Sequence, residues 1–435
     1  MTARRGWCPS VFDPMPAGDG LLVRIKPPGG TICADAARVL AEAAARHGNG
    51  IIELTGRGNL QVRGLSPANV ASFAAAMVAC GLAGADAERR RNVTVSPLAG
   101  DDPSVAPETA AIAAAIERGL ASPCFAALPA KFGFLVDGGG VLALDGVAAD
   151  IFVRAEGSGF AVSVAPAQPS PASGGGQGRG RFHGGSELAL AVAEQAAEGA
   201  LRLARAFLDL SATVPTAPRR MRDLVPSPNP LPQGEGAIAS LPLPLREGAG
   251  GRGTARQGPP NPIGFLRYPR LDRGAFGLGL PFGHVQAATL AMLADLAVRF
   301  GDGKLRTTPW RAVLFGSVEE ADAAELTTLA QRAGLIVDPA DARRKIVACA
   351  GHPACASASV ATRSDAALLA SMSSGFVHVS GCSKGCAHPR PASVTLVGAD
   401  GRYGLVRNGT AADPPDIAGL TIAEAADLLE SGIAA

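Results

Sequence analysis

Four cysteines near the C-terminus have the residue type and spacing most capable of chemistry in this chain. They read Cys349-Ala-Gly-His-Pro-Ala-Cys355 and Ser380-Gly-Cys382-Ser-Lys-Gly-Cys386-Ala-His-Pro389, a C-x5-C pair and a C-x3-C pair with 26 residues between them. Four thiolates can hold one cubane [4Fe–4S] cluster, one protein sulfur for each iron. Gly351, Gly381 and Gly385 let backbone close around so bulky a group. A structural zinc site is a rival, although zinc pairs usually stand two to four residues apart. A disulfide is a third option, favoured only in an oxidising compartment. The remaining cysteines, Cys8, Cys33, Cys80 and Cys124, are scattered. Cys80 falls on a helical pattern, where a thiol is usually a small core residue.

The elements that must present these loops show in the periodicity. Leu21–Lys26 predicts a strand, and Asp35–Arg46 a helix with Ala36, Val39, Leu40 and Ala43 on one face. Ile51–Thr55 and Leu60–Arg63 predict a hairpin around Gly56-Arg-Gly-Asn59. Ser66-Pro67 predicts a helix start, followed by Val70, Phe73, Ala74 and Met77. The same β-α-β-β-α order returns later. It runs through a strand at 277–280, a helix over 286–300, strands at 304–307 and 312–315, and a capping box Ser317-Val-Glu-Glu320 opening the last helix. Such an internal repeat predicts two half-motifs pairing their strands about a pseudo-twofold axis. Each half is followed by a longer segment, short strands and a helix over 187–210 in the first, the cysteines and strands at 392–397 and 403–406 in the second. The fold class expected is α+β, two ferredoxin-like half-repeats joined into a pseudo-twofold unit plus two α/β domains. The divisions expected are 1–87, 88–220, 221–262, 263–336 and 337–435. Residues 168–185 and the Pro/Gly-rich 221–262 read as insertions too poor in apolar side chains to order themselves.

Composition narrows the function classes. The chain has 435 residues, 47% hydrophobic and 18% charged, enough for several cores. A net charge of +2 leaves no footprint of nucleic-acid binding. The first residues show no apolar signal region and no apolar run has membrane-spanning length, so a cytoplasmic location is expected. No G-x-G-x-x-G follows a strand; Gly277, Gly279 and Gly283 miss the spacing.

These blocks together resemble the nitrite and sulfite reductases that carry a cubane cluster beside sirohaem, and most closely their precorrin-3B synthase branch. The likeness rests on the cysteine pattern with Cys386-Ala-His-Pro389, on Leu54-Thr-Gly-Arg-Gly-Asn-Leu-Gln61, on Arg91-Asn-Val93, on Leu128-Pro-Ala-Lys-Phe132 and on Lys304-Leu-Arg-Thr-Thr-Pro-Trp310. Arg5-Gly-Trp-Cys-Pro9 and Gly18-Asp-Gly-Leu-Leu-Val-Arg24 resemble the synthase branch. The resemblance implies a [4Fe–4S] cluster on Cys349, Cys355, Cys382 and Cys386, facing a site for a carboxylate-rich tetrapyrrole. Such a site must be basic, and Arg24, Lys26, Arg57, Arg63, Arg91, Lys131 and Arg306 could supply the charge. Lys131 and Arg57 are the catalytic candidates.

Where the reductases place two lysines two residues apart, this chain has Lys131 and Gly133. The missing lysine would remove a proton donor needed to reduce an oxyanion. The resemblance to the synthase branch implies an oxygen-dependent monooxygenase acting on precorrin-3A, with dioxygen as co-substrate. The alternative is sirohaem-dependent sulfite or nitrite reduction, and a third reading is an electron-transfer or sensor protein bearing a cluster. The synthase branch also implies a mononuclear non-haem iron; His352 and His388, beside cluster cysteines, are candidates for it as readily as for the surroundings of the cluster. NADH is the implied ultimate reductant, reaching the chain through a flavoprotein or ferredoxin. The internal repeat makes a monomer the expected state.

Overall fold

A computed structural model describes residues 9–84, 92–165, 188–191, 193–214, 218–224, 260–372 and 375–431. Cys8, Arg91, most of the Arg5–Pro9 block, and insertions 168–185 and 225–259 lie outside the described residues.

The first sheet grows from alternation. Its elements are Met15–Ala17 (β1), Gly20–Ile25 (β2), Thr31–Cys33 (β3), Ala34–His47 (α1), Ile51–Leu54 (β4), Leu60–Leu65 (β5) and Val70–Ala79 (α2). Val23, Ile25, Ile52 and Val62 are buried beneath the helices, against Leu40, Phe73 and Met77. Because side chains alternate along a strand, the opposite face carries Arg24, Lys26, Glu53, Gln61 and Arg63. The second helix starts three residues beyond the expected Ser66 cap. Residues 67–69 form a turn, with the Asn69 and Val70 amides bonded to the Ser66 carbonyl.

The next sheet consists of Asn92–Val95 (β6), Gly133–Asp137 (β7), Ile151–Glu156 (β8), Gly159–Val164 (β9) and Leu188–Ala191 (β10). Its order is β10-β9-β8-β7-β6, with β6, β7 and β8 parallel. Helices Thr109–Leu120 (α3) and Ala193–Ser211 (α4) cover it through Ile112, Ile116 and Phe207, the last stacked 4.7 Å from Phe132.

The repeat then returns as Gly264–Arg267 (β11), Arg273–Gly279 (β12), His284–Gln286 (β13), Ala287–Phe300 (α5), Lys304–Thr307 (β14), Ala312–Glu319 (β15) and Ala323–Arg332 (α6). One constant chain separation relates Thr31 to His284, Ala34 to Ala287 and Ile51 to Lys304. The halves exchange their shortest strands. β13 pairs with β4 in the first sheet, and β3 pairs with β14 in the sheet β11-β12-β15-β14-β3. α1 and α5 pack together, and one core holds Val23, Ile25 and Leu40 with Phe276, Leu278 and Leu293. Ser317 does not cap a helix as expected. It lies inside β15 at φ 54°, and its hydroxyl donates to Asp101 Oδ1 (2.5 Å), so the helix waits until Ala323.

The last sheet comprises Ile346–Ala348 (β16), Val377–Ser380 (β17), Ala392–Ala399 (β18), Arg402–Gly409 (β19) and Ile417–Leu420 (β20), with helices Thr362–Leu369 (α7) and Ile422–Glu430 (α8). Its three parallel strands β16, β17 and β18 followed by antiparallel β19 repeat the plan of the second sheet. The described residues thus form eight α-helices and four five-stranded sheets, an α+β fold built twice over.

Candidate functional site

Parallel pairing brings the cysteine segments to one sheet edge. Ala348 of β16 stands beside Val379 of β17, so the loops carrying Cys349 and Cys382 leave adjacent strands at their carboxyl ends, the usual ligand edge of such sheets. The Gly381 amide donates to Cys349 Sγ (3.2 Å). Cys355 is held by its amide on the Gly351 carbonyl (2.7 Å), and Thr362 Oγ1 donates to the Cys349 carbonyl (2.8 Å). Gly351 sits at φ 68°, where a Cβ would lie 2.4 Å from Thr362 Oγ1, so no other residue fits this turn without displacement.

All four thiols are free, and they share one electrostatic neighbourhood. Burial pushes the Cys386 thiol up, and Cys382, Cys349 and Cys355 push it further, against the pull of Lys384. Among the described residues, no three His, Cys, Asp or Glu side chains converge closely enough to chelate one metal ion.

The loop is fastened to the first sheet. The Gly18 amide donates to the Ala354 carbonyl (3.1 Å), and Arg63 donates to the same oxygen. Arg63 also forks onto Asp19 with two 3.1 Å bonds. From α7, Arg363 ion-pairs with Glu53 of β4. Burial alone would raise the Glu53 carboxyl, but Arg363 and Arg63 outweigh it and hold it below the usual carboxylate range.

Glu53 belongs to a polar row across four strands. Strand register aligns Arg24, Gln61, Glu53 and His284 as successive partners on β2, β5, β4 and β13. Arg24 donates to Gln61 Oε1 (2.8 Å) and Gln61 Nε2 donates to Glu53 Oε2 (2.9 Å). His284 Nδ1 is buried without a partner, and burial, helped by Arg363 and opposed by Glu53, pushes its imidazole down to about 4. It is neutral at neutral pH.

The structure sorts the sequence candidates. Arg24 and Lys26 lie half-buried on the face bearing the row, and Arg57 lies half-buried in the β4–β5 turn. Arg63 is buried, paired with Asp19 and donating to the Ala354 carbonyl. Arg306 is buried on the other half-repeat, forked onto Asp302 at 2.9 and 2.6 Å. Lys131 is exposed in the turn before β7, and no described hydrogen bond or ion pair joins it to the row. Arg91 lies outside the described residues.

Glu53, His284, Arg311 and Arg363 were not anticipated. Glu53 sits in the predicted hairpin, but its partners come from afar: His284 reaches it through strand exchange and Arg363 through docking of the last sheet, which no local pattern reports.

Sequence and structure comparisons bear on this arrangement. The nitrite/sulfite reductase ferredoxin-like half domain matches residues 13–80 and again 268–333. A precorrin-3B synthase of Sinorhizobium sp is 34% identical over 415 residues, 94% of this chain and 84% of that protein. The ferredoxin–nitrite reductase of Synechococcus elongatus is 24% identical, spanning 91% of this chain and 79% of that one. The solved structure of the Mycobacterium tuberculosis NirA protein shares the fold, with a TM-score of 0.64 at 20% identity over 95% of this chain and 79% of that one.

Proposed function

The chain belongs to the precorrin-3B synthase family, a branch of the nitrite/sulfite reductase enzymes, and from that premise we propose that it oxidises precorrin-3A to precorrin-3B in cobalamin biosynthesis. One atom of dioxygen enters as the C20 hydroxyl and the other leaves as water. Two electrons and two protons are consumed, and a ring-A carboxylate closes the γ-lactone. What carries the proposal is the docking of the four-cysteine loop on Gly18, Asp19 and Arg63, at the edge of a sheet whose polar face bears Arg24 and Lys26.

Cys349, Cys355, Cys382 and Cys386 would hold a [4Fe–4S] cluster, which supplies electrons singly when bound. The fit rests on four free neighbouring thiols, the amide bond to Cys349 and the turn at Gly351. Arg24, Lys26 and Arg57 would bind and orient the substrate carboxylates, where forked or charge-assisted hydrogen bonds are the strong ones. Arg57, in the turn beside the row, would fix the reacting edge, and Lys131 would hold a proton for the oxygen that leaves as water. Glu53, kept ionised by Arg363 and Arg63, would hold Gln61 and through it Arg24 in place.

The ligands of a mononuclear iron stay unassigned. NADH would be the ultimate electron source, acting through a flavoprotein or ferredoxin, with the chain itself a cytoplasmic monomer. The four sheets support the division into half-repeat, α/β domain, half-repeat and cluster domain. No helix among the described residues is long and apolar enough to cross a membrane.

Sirohaem-dependent reduction of sulfite or nitrite is the second reading, favoured by the similarity to the nitrite reductase across nearly the whole chain. Gly133, in place of the second lysine, speaks against it. Protein purified without oxygen decides between them. A cluster signal with iron and acid-labile sulfide and no sirohaem bands supports the synthase; sirohaem bands move the assignment to the reductases; zinc without sulfide overturns both.

A further inference from the structure

Three residues of the second half-repeat hold left-handed backbone where the first uses glycine. Phe282, Arg311 and Ser317 stand at φ 52°, 57° and 54°, at the same chain separation from Gly29, Gly58 and Gly64 as His284 is from Thr31. A side chain in that region costs about 1–2 kcal/mol, and such strain persists where the surroundings enforce it. Ser317 is explained by its bonds to Asp101.

Arg311 is not explained by packing. Its carbonyl accepts from the Leu280 amide (2.9 Å), which pins the strained turn. Its side chain passes over Gly283, where a Cβ would lie 2.8 Å from Arg311 Cδ. The turn is thus cleared to lead a guanidinium inward. There Nη2 donates to the carbonyl of Ala387, the residue after Cys386 (3.4 Å).

A guanidinium stays charged in proteins, so a buried one needs an anion. Among the described residues no carboxylate forms an ion pair with Arg311. Glu53, which does act on it, is already shared by Arg63 and Arg363. The bond to Ala387 sets the guanidinium against the loop from Cys382 to His388. His378 is fully buried with both ring nitrogens unpartnered.

We infer that Arg311 is a cation that raises the reduction potential of the cluster held by Cys349, Cys355, Cys382 and Cys386. This rests on the cluster assignment made above. A cubane ligated by four thiolates is anionic and gains one more negative charge on reduction. A fixed positive charge behind the Cys386 loop therefore stabilises the reduced form and raises the potential.

The test is a potentiometric EPR titration of the full-length holoprotein and three variants. Arg311→Gly deletes the charge while restoring the residue that the first half-repeat uses. Arg311→Gln deletes the charge but keeps a donor and most of the volume. Arg311→Lys keeps the charge. The expected result is unchanged iron and sulfide, with the reduced-to-oxidised ratio at fixed potential falling about tenfold in the glycine and glutamine variants, about 59 mV for one electron. The lysine variant should stay near wild type. The glycine variant should melt no lower than wild type, since it relieves strain. If it fails to hold the cluster, the glutamine variant carries the same expectation.

Equal potentials in all four intact proteins would overturn the inference while leaving the cluster in place. Unchanged potentials with lost precorrin-3A binding would assign Arg311 to a substrate carboxylate instead. A wild-type protein without iron and sulfide would remove the cluster assignment and this inference together.

Discussion

Arg63→Met tests how the cysteine loop is tied to the first half-repeat. The Arg63 side chain is 7% exposed and that of Asp19 13%, so their pairing is largely desolvated. The substitution removes two 3.1 Å bonds to Asp19, the bond to the Ala354 carbonyl, and a charge 3.8 Å from Glu53. Removing one partner of a buried pair costs about 3–5 kcal/mol. Two contacts soften the loss. Arg363 still faces Glu53, and Asn49 Nδ2 still donates to Asp19 (2.9 Å). The lower end, about 3 kcal/mol, corresponds to about 100-fold in local opening.

Native-state hydrogen exchange reads this directly. The Gly18 amide, bonded to Ala354, and the Cys355 amide should each lose about 100-fold protection, since 1.4 kcal/mol is a factor of ten. Amides of β7, in a different sheet, should not change. Protection at Gly18 within about threefold of wild type, far below the 100-fold expected from a broken buried pair, would refute the claim that Arg63 fastens the loop. An equal loss in β7 would show global destabilisation instead.

Cys386→Ser should lower acid-labile sulfide from about four per chain to a substoichiometric level, with a matching loss of iron, measured by sulfide and elemental analysis. Arg57→Ala should weaken precorrin-3A binding about 10- to 100-fold, since hydrogen bonds to charged groups are worth about 1.5–3 kcal/mol; iron content should stay unchanged, and binding is read from the tetrapyrrole absorbance. His284 should make stability depend on pH. Its folded value of about 4 lies below the unfolded value near 6.5, so the unfolded chain binds more protons between these limits. Its contribution is complete above about 6.5 and is lost as pH falls toward about 4, and His284→Asn should flatten urea midpoints over that window. The Glu53 contribution is lost only at lower pH, as its depressed folded value is crossed.

The parts of this molecule written into local sequence were legible. The helices at Ala34–His47 and Ala287–Phe300 announce themselves by apolar stripes, and the Leu54–Leu60 hairpin by its glycine-containing turn. The cysteine spacing showed before any fold was known. Strand exchange was not legible, because Thr31–Cys33 and His284–Gln286 are three residues long, too short to display a period. Without that exchange nothing in the sequence sets His284 beside Glu53. Charge was legible but its employment was not. Arg63 and Arg306 look like Arg24 on a page of sequence, yet Asp19 and Asp302 occupy their forks. Ser317 and Glu320 matched a capping box because the motif is local, whereas Asp101, which takes the Ser317 hydroxyl, comes from a distant segment.

The most direct test of the central claim is the mass of the product formed from precorrin-3A under isotopically labelled dioxygen, with protein purified anaerobically and supplied with reductant. The account predicts one labelled oxygen atom in a hydroxy-lactone product and no product under nitrogen. Unaltered precorrin-3A, from protein that carries sirohaem and consumes sulfite or nitrite, would contradict it.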